Sequence, residues 1–402
     1  MQSLTLNGMS WRRSFSLVVG LGMMGASLLT INHFFAANFG SVSGSVCDIS
    51  AFINCGSSTY SPLSEVYGVP LGFFGLMVGG LVVLGALFPS VELERTNAAI
   101  SALNALGVVG LASYSLFVWK SLCLYCSIYW LFSLVSFGLF WAYGVGRGEA
   151  GSRTRFLRPS LKHVAAFGVV VLAGAFGMQR LHAAKLELQV ANYFALPAVH
   201  QPSILSPYWS VRSTAKFEDA PIHVVEYGDF LCGDCRYLFT QIEKLKEEFK
   251  GKINVAFQFF PFETKCNTVV NKTLHPFACQ VAWIAAHDTS RFAQIHDEIF
   301  TNFMAAKHDS AWRAGLARRY GAESALTDTA LQGVVERIMD TGREYAPTSA
   351  TDSRGIHATP TMILNGRMVV GTLPYEQLRA IFQALVHEKA GQGRTFIESW
   401  VP

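Results

Sequence analysis

Five apolar runs without a charged residue dominate residues 14–178: Ser14–Asn32, Val66–Val91, Ala98–Trp119, Leu122–Gly146 and Val164–Met178. A helix needs about 20 apolar residues to cross the hydrocarbon core of a bilayer. The first four runs meet that length. The fifth is short, but Gln179 and Arg180 at its end can snorkel to the interface. Hydrophobic residues make up 51% of the 402 and charged residues only 15%, too apolar for a soluble protein of this size. The excess lies before Val190; charge is ordinary after it. The first half is therefore expected to be an all-α membrane unit and the second a water-soluble domain. Trp11-Arg12-Arg13 precedes the first run in the manner of a signal peptide. That run is long for a signal core and no small-x-small cleavage site follows, so a first membrane helix is the expectation.

Basic loops mark the cytoplasmic side of a membrane protein. Arg12 and Arg13 form one such cluster. Arg147, Arg153, Arg155, Arg158 and Lys162 form the other, whereas Phe34 to Glu65 holds no Lys or Arg. Five crossings with the N-terminus inside satisfy both clusters. The expected place is an inner (plasma) membrane, crossed several times, with everything after Met178 on the periplasmic or extracytoplasmic side. The eight cysteines fall into four close pairs: Cys47 and Cys55, Cys123 and Cys126, Cys232 and Cys235, Cys266 and Cys279. All four face the oxidising compartment in this topology, where disulfide chemistry is the default. The net charge of +4, without a basic patch interleaved with aromatics, gives nucleic-acid binding little support.

Cys123-Leu124-Tyr125-Cys126 opens the fourth run. Two thiols in a helix's first turn can close a disulfide with little backbone movement, and the helix N-terminus favours a thiolate. At the edge of hydrocarbon, such a pair suits an apolar electron acceptor such as a membrane quinone. After Met178 a mixed segment with Pro197, Pro202 and Pro207 reads as a helix start and then a linker. From Pro221 the pattern becomes α/β. Ile222–Tyr227 reads as a strand, Cys232-Gly233-Asp234-Cys235 follows, then Arg236–Lys250 with helical spacing. Ile253–Phe260 is a second strand, and residues 264–345 look mainly helical. Strands at Thr361–Leu364 and Met368–Val370 flank an Asn365-Gly366 turn, and Pro374–His387 is a final helix. The domains expected are 1–146 in the membrane with an outer loop at 37–66, a basic loop and fifth helix at 147–182, a linker at 183–220, an α/β domain at 221–390 and a tail at 391–402.

This plan resembles the DsbA-like branch of the thioredoxin fold, with a helical insertion. Phe230-Leu231-Cys232-Gly233-Asp234-Cys235 matches its active-site turn, and His357-Ala358-Thr359-Pro360-Thr361 its cis-proline loop. The resemblance implies an exposed, low-pKa Cys232, a buried resolving Cys235, and substrate contacts at Thr359 and Pro360. Asp234 puts a carboxylate between the cysteines and opposes thiolate formation. A weaker oxidant than DsbA, at about −120 mV, is therefore expected. A zinc or purely structural pair is the alternative for Cys232 and Cys235.

Residues 11–146 resemble the vitamin K epoxide reductase family. The match rests on Cys47 and Cys55 with seven residues between them, Ser61 six residues after Cys55, Gly68-Val69-Pro70-Leu71 running on to Phe74-Gly75, and Cys123-Leu124-Tyr125-Cys126. The resemblance implies a four-helix membrane bundle in which the loop pair shuttles electrons and the membrane pair reduces a quinone of ubiquinone, menaquinone, plastoquinone or phylloquinone type, without a metal. Carried over, it implies a path from substrate thiols to Cys232/Cys235, to Cys47/Cys55, to Cys123/Cys126 and to the quinone beside Cys126. Cys47 is favoured to receive electrons from Cys232, leaving Cys55 to meet Cys123. Ser61 either hydrogen-bonds near this site or caps the second membrane helix. Phe73 and Phe74 are candidates to line the quinone ring, and His33 is either a neighbour of that ring or an interfacial histidine. Cys266 and Cys279 are expected as a structural disulfide, with a metal site including His275 as the alternative.

The expected activity is quinone-dependent disulfide formation in unfolded secreted proteins that carry reduced cysteines, drawing on the quinone pool of the bilayer. A reductase or isomerase fed from inside, and a membrane-tethered chaperone-like module without catalysis, are the alternatives. No cysteine falls on the cytoplasmic side to feed the former.

Overall fold

The computed structural model describes residues 5–6, 9–39, 55, 61, 63–119, 122–143, 159–348 and 355–389. Cys47, the arginines at 147, 153, 155 and 158, and the tail at 391–402 lie outside the described residues. The chain divides into two compact units, Met1–Glu187 and Leu188–Pro402.

The first unit is helical. Its elements are α1 (Trp11–Phe39), a small hairpin of β1 (Glu65–Val66) and β2 (Val69–Pro70), α2 (Leu71–Leu87), α3 (Val91–Ser113) and α4 (Leu124–Tyr143). The long helix α5 (Leu161–Ala195) carries most of its length here. Four of these five helices are long and apolar enough to cross a membrane; α2, at 17 residues, sits at the short end of that range. Apolar side chains such as Leu106, Leu172 and Phe176 are largely exposed, as lipid-facing residues are.

Lipid gives helices no hydrophobic reason to associate, so close packing and polar contacts must hold them. Both are present. A Cβ on Gly79 of α2 would sit 3.0 Å from Met23 and Met24 of α1, and one on Gly72 3.0 Å from the Ser27 carbonyl. The Asn104 amide of α3 donates to Ser133 Oγ of α4 at 2.6 Å and accepts from the Tyr129 hydroxyl at 2.9 Å. Arg13 donates to the Ala86 carbonyl at 2.9 Å, placing a cation on the last turn of α2.

Glu92–Arg95, between the second and third apolar runs, is the first part of α3, because Ser90 caps that helix by accepting from the Leu93 N–H and its acids favour a helix start. One detail differs from the sequence reading. The fifth helix is not short: it runs 35 residues, because Gln179 and Arg180 end the apolar run without ending the helix.

The second unit is built on a five-stranded mixed sheet. Its strands are β3 (Trp209–Val211), β4 (Ile222–Gly228), β5 (Ile253–Phe259), β6 (Thr361–Leu364) and β7 (Arg367–Val370), in the order β3-β5-β4-β6-β7. Strands β4 and β5 are parallel, in register from Ile222 opposite Ile253; the remaining pairs are antiparallel. Strand β3 lies in the segment read as a linker. Three residues after a run of prolines are too short a strand signal to stand out. Every residue of β5 is buried, and the amides of its two polar side chains, Asn254 and Gln258, donate to the carbonyls of Phe217 and Ile204. Helices α6 (Gly233–Glu248) and α12 (Tyr375–Lys389) cover one face with Leu238, Ile242, Leu378 and Phe382. Between β5 and β6 come α7 (Ala278–Ala286), α8 (Phe292–Thr301), α9 (Phe303–His308), α10 (Ser310–Tyr320) and α11 (Thr329–Asp340). They form a second core around Phe292, Ile299 and Leu316 that reaches the Cys232 turn. The β6–β7 hairpin turns on Asn365 and Gly366, both at positive φ, which asparagine and glycine tolerate.

Candidate active site

Each unit brings one cysteine pair to a helix start. In the membrane unit Cys123 and Cys126 begin α4, and the Cys126 N–H donates to Cys123 Sγ at 3.4 Å. Both are in the thiol form. Cys55 is fully buried and disulfide-bonded. Its sulfur lies 3.3 Å from that of Cys123. The structure therefore brings Cys55 and Cys123 together; Cys47 lies outside the described residues.

A cavity of about 270 Å³ opens beside these sulfurs. Cys123, Cys126, Ser61, Phe74, His33 and Thr30 line it, together with Asn104 and Tyr129. Among the described residues the lining is mostly apolar, with neutral polar groups and no Asp, Glu, Lys or Arg. Ser61 is on its wall and is not the cap of α2: that position is Pro70, without a side-chain cap. Phe74 faces the cavity and Phe73 does not. Successive helix positions point about 100° apart. The Phe73 ring turns to α5, where a Cβ on Gly174 would lie 2.6 Å from it. The β1–β2 hairpin sits next to the cavity through Ser64 and Pro70. Its Gly68, at φ 78°, lies so near the His182 ring that a Cβ would come within 2.8 Å of Nδ1.

In the soluble unit Cys232 is the N-cap of α6 and Cys235 lies in its first turn. The peptide between Thr359 and Pro360 is cis, and the Cys232 thiol donates to the Thr359 carbonyl at 3.3 Å. This loop and the helical insertion leave Cys232 only 7% exposed, more buried than the sequence suggests. The hydrogen bond from Cys235 and the helix-start backbone hold the Cys232 thiol down at about 6 against its burial. Cys235 is fully buried; desolvation and the Cys232 sulfur push its thiol well up. The sulfur also accepts the Asp229 N–H at 3.4 Å.

Two buried carboxyls lie behind this turn. Glu226, in the middle of β4, is pushed up to about 8 by burial and then by the Cys232 charge. Asp229 follows the end of β4. One of its oxygens accepts the Leu231 N–H at 2.7 Å; the other accepts the Phe262 N–H and meets His275 Nδ1, both at 2.7 Å. The carboxylate that opposes a charge on Cys232 is therefore Asp229, not the exposed Asp234. A lone acid in an apolar strand was the only sequence signal for Glu226. Asp229 and His275, 46 residues apart, gave none. Cys266 and Cys279 form a disulfide, with sulfurs 2.06 Å apart. No cluster of metal-ligating side chains occurs among the described residues.

Comparison with known proteins agrees with this division. Residues 15–141 match the Vitamin K epoxide reductase family, and residues 217–384 match a thioredoxin family. The probable disulfide bond formation protein D of Bacillus cereus is 35% identical over 97 residues, covering 23% of this chain and 42% of that protein. Disulfide bond formation protein D of Bacillus subtilis is 21% identical over 168 residues, covering 40% of this chain and 71% of that one. Na(+)/H(+) antiporter NhaA 1 of Mycolicibacterium gilvum is 27% identical over 153 residues, covering 37% of this chain and 22% of the antiporter. The chain thus spans less than half the length of the Bacillus cereus and Mycolicibacterium relatives. Among solved structures, oxidised BdbD from Bacillus subtilis is 22% identical with a TM-score of 0.34, covering 47% of this chain and 98% of its own. The thiol-disulfide exchange protein alpha-DsbA2 from Wolbachia pipientis is 17% identical with a TM-score of 0.33, covering 50% and 98%.

Proposed function

We propose, for a chain that joins a vitamin K epoxide reductase domain to a thioredoxin-fold domain, that it makes disulfide bonds and passes the electrons to a membrane quinone. Two thiols of an unfolded secreted protein attack the Cys232–Cys235 disulfide. The substrate gains a disulfide and Cys232 and Cys235 become thiols. Cys232 is the attacking group of the next step, since its thiol ionises near neutrality whereas that of Cys235 is buried. It forms a mixed disulfide with the loop pair of Cys47 and Cys55, which Cys235 resolves. The reduced loop pair then exchanges with Cys123–Cys126 through Cys55. The reduced membrane pair gives two electrons and two protons to the quinone, which leaves as quinol.

One observation carries this reading: the Cys55 sulfur is 3.3 Å from Cys123, on the wall of a mostly apolar cavity that Cys126 shares. A dry cavity of about 150 Å³ holds a benzene ring. A volume of about 270 Å³ therefore suits a quinone head. Its tail would run out between lipid-facing helices. Ser61 and the amide N–H of Asn104 that Ser133 does not take supply neutral donors for its carbonyls, and the described lining residues carry no charge that would favour a polar solute. The basic clusters of the sequence support an N-terminus inside and a thioredoxin domain outside, in the compartment where such substrates would be.

The test is anaerobic mixing of a reduced unfolded substrate, the full-length protein in detergent or lipid, and a quinone. Quinol should form in step with substrate disulfides, one for one. Substrate oxidation without quinol would sink the reading.

A further inference from the structure

Asp229 presents a problem that the relay does not address. Its carboxylate is fully buried beside the thiol turn and bears against a charge on Cys232. It cannot be dispensed with locally, because its oxygens hold the Leu231 and Phe262 N–H groups and its own N–H reaches Cys235. A buried carboxylate with a negative sulfur nearby is costly unless a cation stands against it. His275 occupies that place, with Nδ1 2.7 Å from Asp229 and its side chain only 17% exposed.

We propose that the His275–Asp229 pair is a positioning element for the thiol site: the imidazolium offsets the buried carboxylate, so that Asp229 can build the active-site turn without suppressing the Cys232 thiolate. The proposal rests on the reading that Cys232 and Cys235 are a redox pair. Its geometry is specific. His275 comes from the helical insertion, between the two cysteines of the Cys266–Cys279 disulfide. The main chain fixes it as well: its N–H donates to the Phe262 carbonyl at 3.1 Å, and its carbonyl accepts the Ala278 N–H at 3.2 Å. The groups that face the imidazole are Asp229 from the end of β4, Cys232 from the thiol turn and Lys307 from α9. Burial and Lys307 work against the imidazolium, but the hydrogen bond and charge of Asp229, with the Cys232 sulfur, leave its pKa raised.

The consequence follows by sign. Imidazolium and thiolate stabilise one another. Protonated His275 therefore favours the reduced, thiolate form of the site and makes its disulfide the stronger oxidant. Losing that proton leaves Asp229 uncompensated and weakens the oxidant.

The experiment equilibrates the full-length protein with glutathione buffers and reads the Cys232 and Cys235 peptides by differential alkylation and mass spectrometry. Two glutathione thiols reduce the disulfide to two cysteine thiols and leave as glutathione disulfide. His275→Gln should shift the equilibrium toward the protein disulfide about tenfold at neutral pH, or about 30 mV for the two-electron couple. That difference from the unmodified chain should shrink as pH rises through the imidazole's titration. His275→Arg, which keeps the cation, should restore the equilibrium and remove the pH step. A His275→Gln protein that keeps the Cys266–Cys279 disulfide yet equilibrates within about twofold of the unmodified chain would overturn the proposal. A second readout needs no variant. The titration midpoint of His275, followed by deuterium exchange at its ring carbon, should fall when Cys232 and Cys235 are oxidised; an unchanged midpoint also overturns it. If Cys232 and Cys235 never equilibrate with glutathione in the unmodified chain, the redox reading itself fails, and this inference with it.

Discussion

The two cysteine pairs solve one chemical problem with opposite means. Both begin a helix, so both have the same backbone help. Around Cys232 and Cys235 the fold buries ionisable groups: Glu226 in the strand, Asp229 below the turn and His275 against it. Around Cys123 and Cys126 the described lining of the cavity offers hydroxyls, an amide and rings, but no carboxylate or fixed cation. The difference teaches where charge is useful. A pair that must select its direction of exchange with many protein thiols is tuned by buried charge, which acts strongly at low dielectric. A pair that, under the proposed relay, serves one apolar acceptor at the edge of lipid gains more from shape and neutral hydrogen bonds, since a charge there is expensive.

The largest expected effect separates the pairs outright. Cys126→Ala should bring quinol formation to background whether electrons come from a protein substrate or from dithiothreitol. Cys232→Ala should abolish only the substrate-driven reaction. Equal loss from both sources in Cys232→Ala would erase the division of labour.

Next come the two adjacent rings of α2. Phe74→Ala should raise the KM for quinone about tenfold, as a lost aromatic contact of about 1.4 kcal/mol does, with little change in thermal stability. Phe73→Ala should leave KM unchanged but cost about 3 kcal/mol, because it empties a packed site against α5. Removing the Cys266–Cys279 disulfide by paired Ala substitutions should cost the soluble unit a similar amount, about 3 kcal/mol in the chain-entropy account, seen as a lower unfolding midpoint.

A smaller effect tests buried charge directly. The Glu226 carboxyl is raised to about 8 in the folded reduced protein, above its unfolded value near 4.5. Its contribution is fully present below the unfolded value and is lost as pH rises toward about 8. Glu226→Gln should therefore leave stability unchanged at pH 4 and raise it by roughly 2 kcal/mol at pH 8. Denaturant titrations at the two pH values measure this. Smallest of all, Asp234→Asn should move the glutathione equilibrium less than about twofold, because an exposed carboxylate is screened by water. A large shift there would restore Asp234 as the controlling charge.

Much of this was legible in the chain. Charge-free runs announce membrane helices because lipid tolerates little else, and a cysteine pair between a strand and a helix, with a later Thr-Pro, is a local pattern with a local cause. What escaped has a physical reason in each case. The end of α5 was hidden because the apolar run stops at Gln179 and Arg180, although a helix continues through a change of solvent. Phe73 and Phe74 are chemically alike, and only the rotation of α2 decides which one meets the cavity. Trp209–Val211 owes its strand to pairing with β5 rather than to its own three residues. Asp234 drew attention because it is adjacent in sequence. Asp229 matters more because it is buried, and burial is a property of the fold. The meeting of Asp229 with His275 depends on how the insertion returns to the sheet.

The short approach of Cys55 to Cys123 has one more implication. Here the loop sulfur is oxidised and the membrane pair is in the thiol form, so the contact permits exchange in both senses: a Cys123 thiolate within reach of the Cys55 disulfide, or a Cys55 thiolate within reach of a membrane disulfide. Under the proposed relay, traffic would run outward-to-lipid only while oxidised quinone keeps draining the far end. In a membrane whose quinone is already reduced, the same chain would hand electrons back and unmake the bonds it had installed.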